Sequence, residues 1–378
     1  MIAKPDQRGY RGWATALCGS VLIVLVFAWA TPWLKLPEPG LAENRVLAEA
    51  PAVPASLRGI VHFPQELNSY IEDQFPPRRF AISGLNFLRY HLRYSGVPRV
   101  IVGPNGWLFY DIAATFAYQQ GIPNLSESET ERLVSGVVAY DRQLQENGRR
   151  FYVMAAPVKS SAFPQEVPNW LEMSEVDAAR VAKAFADANE QNRFIYPVQE
   201  VQSTDELSYS PNDTHWNYYG AYAAYEKLIE TIAKEVPAVG APAPMETPDT
   251  ASVPAAAIPR DLALMLGIAN WVSGSHPSKV TFPPHDPART TFLSERTDWA
   301  AAQVWETDAP SGLTLLLVRD SFSTEMLPLL KSHFSKLVIA HLDDGFLRDD
   351  LIEQYDPDVV VFELQEAGTP YMRHMKLP

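Results

Sequence analysis

From Leu125 onward the apolar residues follow two alternating rhythms. Leu133, Val137, Tyr140 and Leu144 recur at four- and three-residue intervals, between a Ser126/Glu129 pair at capping-box spacing and an Asn147-Gly148 stop. That pattern predicts an amphipathic helix. The next run, FYVMAAPV, is apolar throughout and reads as a buried strand; residues 172–189 then read as a helix and RFIYPV as a strand. A second stripe, Tyr218, Tyr222, Tyr225, Ile229, Ile232 and Val236, predicts another helix. LTLLLV, KLVIAHL and VVVFEL are strands, separated by the helical stretches TEMLPLLKSHF and LRDDLIEQY. Strands alternating with helices predict an α/β fold, an αβα sandwich on a mainly parallel sheet.

The N-terminal part is organised differently. Residues 13–34 carry no charge, and about 20 such residues cross a bilayer as a helix. Lys4, Arg8 and Arg11 precede the stretch against one acid, Asp6, which leaves the N-terminus in the cytoplasm and the body outside. Ala28-Trp29-Ala30 has the form of a signal-peptide cleavage site, so a cleaved leader stands as the alternative; both readings export the body. The expected organisation is a cytoplasmic tip and transmembrane anchor or signal peptide over residues 1–36, a Pro/Ala-rich tether over 37–62, and a folded domain over 63–378. Within that domain, residues 63–94 read as helical, with Arg78, Arg79, Arg89 and Arg93 on a solvated basic face or, alternatively, a contact for a polyanion or lipid headgroup. VIVGPNGWLFY reads as two short strands around a turn at residues 104–106, and residues 237–259 as a Pro/Ala-rich surface loop.

Charge and composition narrow the function. A net charge of −14 argues against nucleic acid as a partner, because phosphate neutralisation needs a basic surface. One cysteine, Cys18, excludes an intrachain disulfide and a thiolate metal cluster.

The candidate chemistry sits where strands end. In LTLLLVRDSFSTEM an apolar strand runs into Arg319-Asp320-Ser321-Phe322 just before a helix. Ser321 at a strand-to-helix turn has the exposure a nucleophile needs, and turn amides can stabilise an oxyanion. The plain alternative is that Ser321 or Ser323 caps the helix. A serine needs a base held in one tautomer by a third group, and SPNDTHW offers both. Asp213 and His215, two apart in an extended segment, point to the same side. Asp213 can then hold one imidazole nitrogen and leave the other free, while the adjacent helix N-terminus disfavours imidazolium. The competing reading has Asp213 capping and His215 packing on Trp216. A zinc site is a third reading of Asp and His together, but the other histidines have no ligand spacing and no metal is expected.

DTHW with a glycine four residues on, and a later strand ending in DSFS, resemble the alginate O-acetyltransferase family (AlgJ/AlgX-like, including the DHHW proteins). Glu43-Asn44-Arg45, Phe75-Pro76-Pro77-Arg78, the Gly106-Trp107-Leu108-Phe109 turn, Pro157-Val158-Lys159 and VVVFEL also match, over roughly residues 43–365. The resemblance implies an SGNH-hydrolase-like domain with Ser321 as nucleophile, His215 as base and Asp213 as orienting acid. Trp216, Lys159, Arg319 and Tyr218 are expected to contact substrate. Two departures stand out: Arg319 occupies a position that is Gly in many relatives, and after Glu363 the chain has Leu364-Gln365-Glu366-Ala367 in place of a Glu-Arg pair.

The expectation is therefore an O-acetyltransferase on the bacterial inner membrane, its catalytic domain in the periplasm, that acetylates an alginate-like exopolysaccharide without a cofactor. A multipass membrane O-acyltransferase is the expected acetyl donor. An exported esterase with the same triad is the nearest alternative. A non-catalytic binding subunit, with Trp107, Phe109, Tyr110 and Tyr118 stacking on sugars, is the other.

Overall fold

The computed structural model describes residues 7–30, 47–54, 56–75, 78–110, 124–171, 176–245, 260–272 and 289–378. Glu43-Asn44-Arg45, Pro76-Pro77, Tyr118 and residues 246–259 of the Pro/Ala-rich stretch lie outside them. The chain divides into two compact units, residues 1–97 with 263–273, and residues 98–262 with 274–378.

The first unit contains α1 (Gln7–Ala30), α2 (Leu57–Gln74) and α3 (Arg78–His91). The single helix expected over 63–94 is thus two. Phe75 leaves the helix at φ −60°, ψ 113°, because Pro76 follows and a residue before proline is pushed out of the helical region. The expected tether is also shorter: Ser56 caps α2, its hydroxyl accepting from the Gly59 N–H. Asn86 Nδ2 donates to the Leu266 carbonyl at 2.8 Å, and Phe87 packs edge-on to Trp271. Among the described residues no helix is long and apolar enough to cross a membrane. The span expected over residues 13–34 is only partly within them, since residues 31–34 and several α1 side chains fall outside.

The second unit opens with a hairpin, β1 (Val100–Val102) and β2 (Leu108–Tyr110), antiparallel around a 3₁₀ turn at Pro104–Gly106. Asn105 and Gly106 take positive φ there, the residue types that tolerate it. Next come α4 (Glu127–Gln145), β3 (Arg150–Ala156), α5 (Lys159–Ala162), α6 (Asp177–Asp187), β4 (Phe194–Ile195), α7 (Val198–Gln202) and α8 (Tyr218–Ala233). After α9 (Asp261–Leu266), whose residues 263–266 belong to the first unit, follow β5 (Arg289–Phe292), β6 (Gln303–Glu306), β7 (Thr314–Arg319), α10 (Leu327–Leu330), β8 (Lys336–His341), α11 (Asp349–Tyr355) and β9 (Val359–Gln365). The Ser126/Glu129 capping box forms as expected at α4. The helix expected over 172–189 is described only from Asp177, and the RFIYPV strand shrinks to two residues before Pro197 opens α7.

These strands make a seven-stranded sheet in the order β4-β3-β9-β7-β8-β6-β5. β4, β3, β9, β7 and β8 are parallel; β6 and β5 pair antiparallel at one edge. Alternation along each strand sends Tyr152, Met154, Leu315, Leu317, Val359 and Val361 to one face, where α8 packs. Phe151, Val153, Leu316, Val318, Val360 and Phe362 go to the other, against α4, α6 and α11. Helices therefore cover both faces, as continuously apolar central strands require. β3, β7, β8 and β9 all end on one edge, and their C-terminal residues meet there.

Candidate active site

The turn that carries Ser321 follows β7. Asp320 ends the strand and caps the next turn: its Oδ1 accepts from the Phe322 N–H at 2.8 Å and its Oδ2 from the Gln365 N–H at 2.7 Å. Neither Ser321 nor Ser323 is the cap. The chain then runs as 3₁₀ from Ser321 to Met326 before the short α10, so the expected longer helix is broken into two tight pieces. Capping by Asp320 leaves the Ser321 hydroxyl free to face elsewhere. It faces His215, whose Nε2 lies 2.9 Å from Oγ.

His215 reaches that point because the segment before α8 is extended and pinned at several places. Tyr209 and Trp216 form an isolated antiparallel bridge, and the Asn217 N–H donates to the Ser208 carbonyl at 2.9 Å. Asn217, not Asn212, Asp213 or Thr214, caps α8, its Oδ1 accepting from the Tyr219 and Gly220 N–H groups. Gly220 is the glycine of the DTHW pattern, and a Cβ there would stand 2.6 Å from the Ser208 carbonyl oxygen and 2.8 Å from Trp216 Cβ. Only glycine lets the first turn of α8 approach so closely.

Asp213 is nearly fully buried. Its Oδ1 accepts from the His215 backbone N–H at 2.9 Å and lies 3.2 Å from Nδ1; its Oδ2 accepts from the Asp261 N–H at 3.0 Å. Burial alone would raise the Asp213 pKa, but the contacts with His215 outweigh it and the net shift is downward. Burial likewise opposes a charged His215, yet the Asp213 hydrogen bond, with Asp213, Asp261 and Asp320 as negative neighbours, raises its pKa above the ordinary value. The carboxylates thus override the helix-end effect expected from the sequence.

Asp261 was not legible in the sequence as a site residue, since nothing around it carries a motif. Its Oδ1 accepts from the Thr214 and Leu262 N–H groups, both at 2.7 Å, and burial beside Asp213 raises its pKa. One potential ligand atom each from Asp213, His215 and Asp261 falls within 4.8 Å of the others. The carboxylates of that group already accept from four backbone N–H groups and the imidazole. This arrangement fixes the loop and the His215 imidazole.

The four residues expected to contact substrate are all buried, and three of them donate to backbone carbonyls of the chain. Trp216 Nε1 donates to the Phe322 carbonyl at 2.8 Å, tying the His215 segment to the Ser321 turn. Tyr218 is packed among Tyr219 and Tyr222. Lys159, just past β3, donates from Nζ to the carbonyls of Ser210 at 3.1 Å, Pro211 at 3.2 Å and Asp213. The rings of Trp107 and Phe109 flank its ammonium, and both are buried. Burial lowers the Lys159 pKa to about 7 against the pull of Asp213 and Asp261. Arg319 donates from Nη1 to the Asp320 carbonyl at 3.1 Å and to Thr324 Oγ1 at 2.7 Å, and from Nη2 to the Trp299 carbonyl at 2.6 Å.

Beneath the turn, Glu363 of β9 is completely buried and accepts from the Asp320 N–H at 3.2 Å. Burial, then the nearby Asp320 carboxylate, push its pKa well above the ordinary value. An acid inside an otherwise apolar strand was the sequence signal for it.

Residues 100–366 match the family model described as SGNH hydrolase-like domain, acetyltransferase AlgX. The fold and the site at the carboxyl edge define a protein of SGNH-hydrolase type, and the chain belongs to that family. It is similar to a protein named "Probable alginate O-acetylase AlgJ" from Pseudomonas syringae pv. tomato, 24% identical over 331 residues, or 80% of this chain and 77% of the relative. The Pseudomonas fluorescens protein of the same name is 23% identical over 328 residues, with the same coverage. Among solved structures, the O-acetyltransferase domain of Pseudomonas putida AlgJ gives a TM-score of 0.43 at 17% identity, covering 72% of this chain and 92% of that one. Bacillus cereus PatB1 gives 0.44 at 14% identity, covering 71% and 96%.

Proposed function

We propose that the protein is a serine O-acetyltransferase that passes acetyl groups to hydroxyls of an alginate-type polysaccharide. The observation that carries the reading is the 2.9 Å approach of His215 Nε2 to Ser321 Oγ, between residues 106 apart in sequence, with Asp213 on the other imidazole nitrogen. Family membership and the names of the relatives supply the acetyl group and the polymer.

In this reaction Ser321 Oγ bonds to the acetyl carbonyl carbon of the donor while its proton moves to His215 Nε2. Asp213 steadies the imidazolium. The Ser321 N–H, which makes no hydrogen bond among the described residues, is the available amide for the oxyanion; the Phe322 N–H is taken by Asp320. Collapse breaks the bond to the donor oxygen, which leaves with the proton from His215. A sugar hydroxyl then gives its proton to His215 and attacks the acetyl-serine, and Ser321 departs with that proton restored.

Export and anchoring belong to the same proposal. Their support is the uncharged stretch at residues 13–34 behind Lys4, Arg8 and Arg11, the helical Gln7–Ala30 segment, and exposed Trp13, Leu17, Leu22, Ile23 and Val26 along it. The catalytic unit would then work on the periplasmic face of a bacterial inner membrane, with a multipass membrane O-acyltransferase supplying acetyl.

Ser321→Ala tests the reading. Because Asp320 is the cap, stability should change by less than about 1 kcal/mol. Acetyl transfer from a chromogenic ester to alginate oligosaccharides should fall at least about 1000-fold. Wild-type rates in a folded Ser321→Ala protein would refute the mechanism, and free acetate as the sole product would make the enzyme an esterase.

A further inference from the structure

One large aromatic side chain at the reactive edge is not used by the triad or by its braces. Trp299 lies on the connection between β5 and β6 and is 53% exposed. Because β6 runs antiparallel to β8, with Gln303 opposite Ile339, this connection emerges at the same edge as the C-terminal ends of β7 and β8. The turn is stiff for an exposed one: Arg296 Nε bonds Asp298, Asp298 accepts from the Ala300 N–H, and the Leu293 N–H bonds the Ala302 carbonyl.

Trp299 is also tied to the nucleophile. Arg319, itself 2% exposed, donates through Nη2 to the Trp299 carbonyl at 2.6 Å and through Nη1 to the carbonyl of Asp320, the residue before Ser321. Its guanidinium carbon lies 5.6 Å from the indole centroid, and His341 meets the ring edge-on at 5.1 Å. The indole is thus supported by a cation and an imidazole, with half its surface left to solvent. A lone exposed tryptophan needs no explanation on a protein surface. One clamped through a buried arginine to the reacting serine does.

We propose that Trp299 is a stacking platform for a pyranose ring of the acceptor polysaccharide, held in register with Ser321 by Arg319. This rests on the acetyltransferase reading above and adds the residue that grips the acceptor. Pyranose rings present C–H faces to aromatic planes, and indole offers the largest such plane with little rotamer entropy to lose. The positive guanidinium behind it suits a uronate, whose carboxylate it attracts. Arg319 then acts as the link between platform and nucleophile without touching the sugar.

The test reads binding rather than turnover. Full-length Ser321→Ala protein is titrated calorimetrically with a hexameric mannuronate oligosaccharide, alone and combined with Trp299→Ala, Trp299→Leu or Trp299→Phe. The Kd should rise about tenfold or more with Ala and with Leu and stay within about threefold with Phe. Melting temperatures are measured in parallel. Equal Kd values across the series overturn the platform, as does no binding by the Ser321→Ala protein at millimolar oligosaccharide, or a loss that tracks melting temperature instead of aromaticity. Acetyl transfer by the wild-type protein is measured separately, so a failed platform and a failed acetyltransferase reading give different results.

Discussion

At the scale of single residues, the site depends on which charges face His215. Asp213, Asp261 and Asp320 together raise its pKa, and a base must be neutral to accept the serine proton. Transfer should therefore fall as pH drops through that raised pKa and level off above it. Asp213→Asn removes the strongest raising contact, so the acidic limb should move to lower pH while the plateau rate falls, by up to about 10⁴-fold. A pH–rate profile checks both, and an acidic limb that stays put or moves upward would remove Asp213 from this role. Lys159→Met keeps an unbranched side chain, one atom shorter, but leaves the carbonyls of Ser210, Pro211 and Asp213 without their donor. It should cost about 3 kcal/mol or more in denaturant unfolding, and Lys159→Arg should not restore it in so tight a pocket. Asp213 and His215 were readable because a spacing of two in an extended segment forces side chains together. Asp261 was not, because it enters from 46 positions beyond His215 with no local pattern. Lys159, Trp216, Tyr218 and Arg319 were found by position, but their burial was not legible, since it is decided by residues far away in sequence.

At the scale of elements, one close approach sets the base. Gly220 brings the first turn of α8 against the Ser208 carbonyl and Trp216, and a Cβ at 2.6 Å forces a shift of backbone. Gly220→Ala should destabilise the protein by about 1–3 kcal/mol and depress transfer further than that loss explains, because Trp216 and His215 move together. Thermal melting and the transfer assay of the folded variant measure the two effects; an unchanged rate would show that the approach does not position His215. The parallel strands were legible because each is an unbroken apolar run bounded by turn residues. β5 and β6 were not: RTTF is exposed at all four positions and QVWE carries a charge, so neither shows the pattern of a buried strand. The break between α2 and α3 was visible in Pro76-Pro77 and should have divided the helix.

The whole second unit is braced at the edge opposite the site. Arg193 is 1% exposed and pairs with Asp141 at 2.8 Å and with Glu235, while Arg150 joins the same two carboxylates. These contacts tie the start of β3 to α4, to the loop before β4 and to the end of α8. Arg193→Met leaves Asp141 short of a buried cation and should cost about 3–5 kcal/mol in denaturant unfolding. A change below about 1 kcal/mol would mean that Arg150 alone satisfies the pair. Glu235 has its pKa lowered despite burial, through Arg193 and Tyr152. A lowered carboxyl pKa contributes stability that is present above its unfolded value and lost as pH falls through the folded one, so the network weakens on the acid side only.

The central claim is that Ser321 carries the acetyl group between donor and sugar, and it can be read without the polymer. Wild-type protein is mixed with an excess of a chromogenic acetyl ester, quenched in acid within the first turnover, digested and analysed by mass spectrometry. The account predicts one added acetyl group on the peptide containing Ser321, absent from Ser321→Ala and strongly reduced in His215→Ala. Acetyl on another residue, or ester cleavage at wild-type rate with Ser321 unmodified at every quench time, would contradict it.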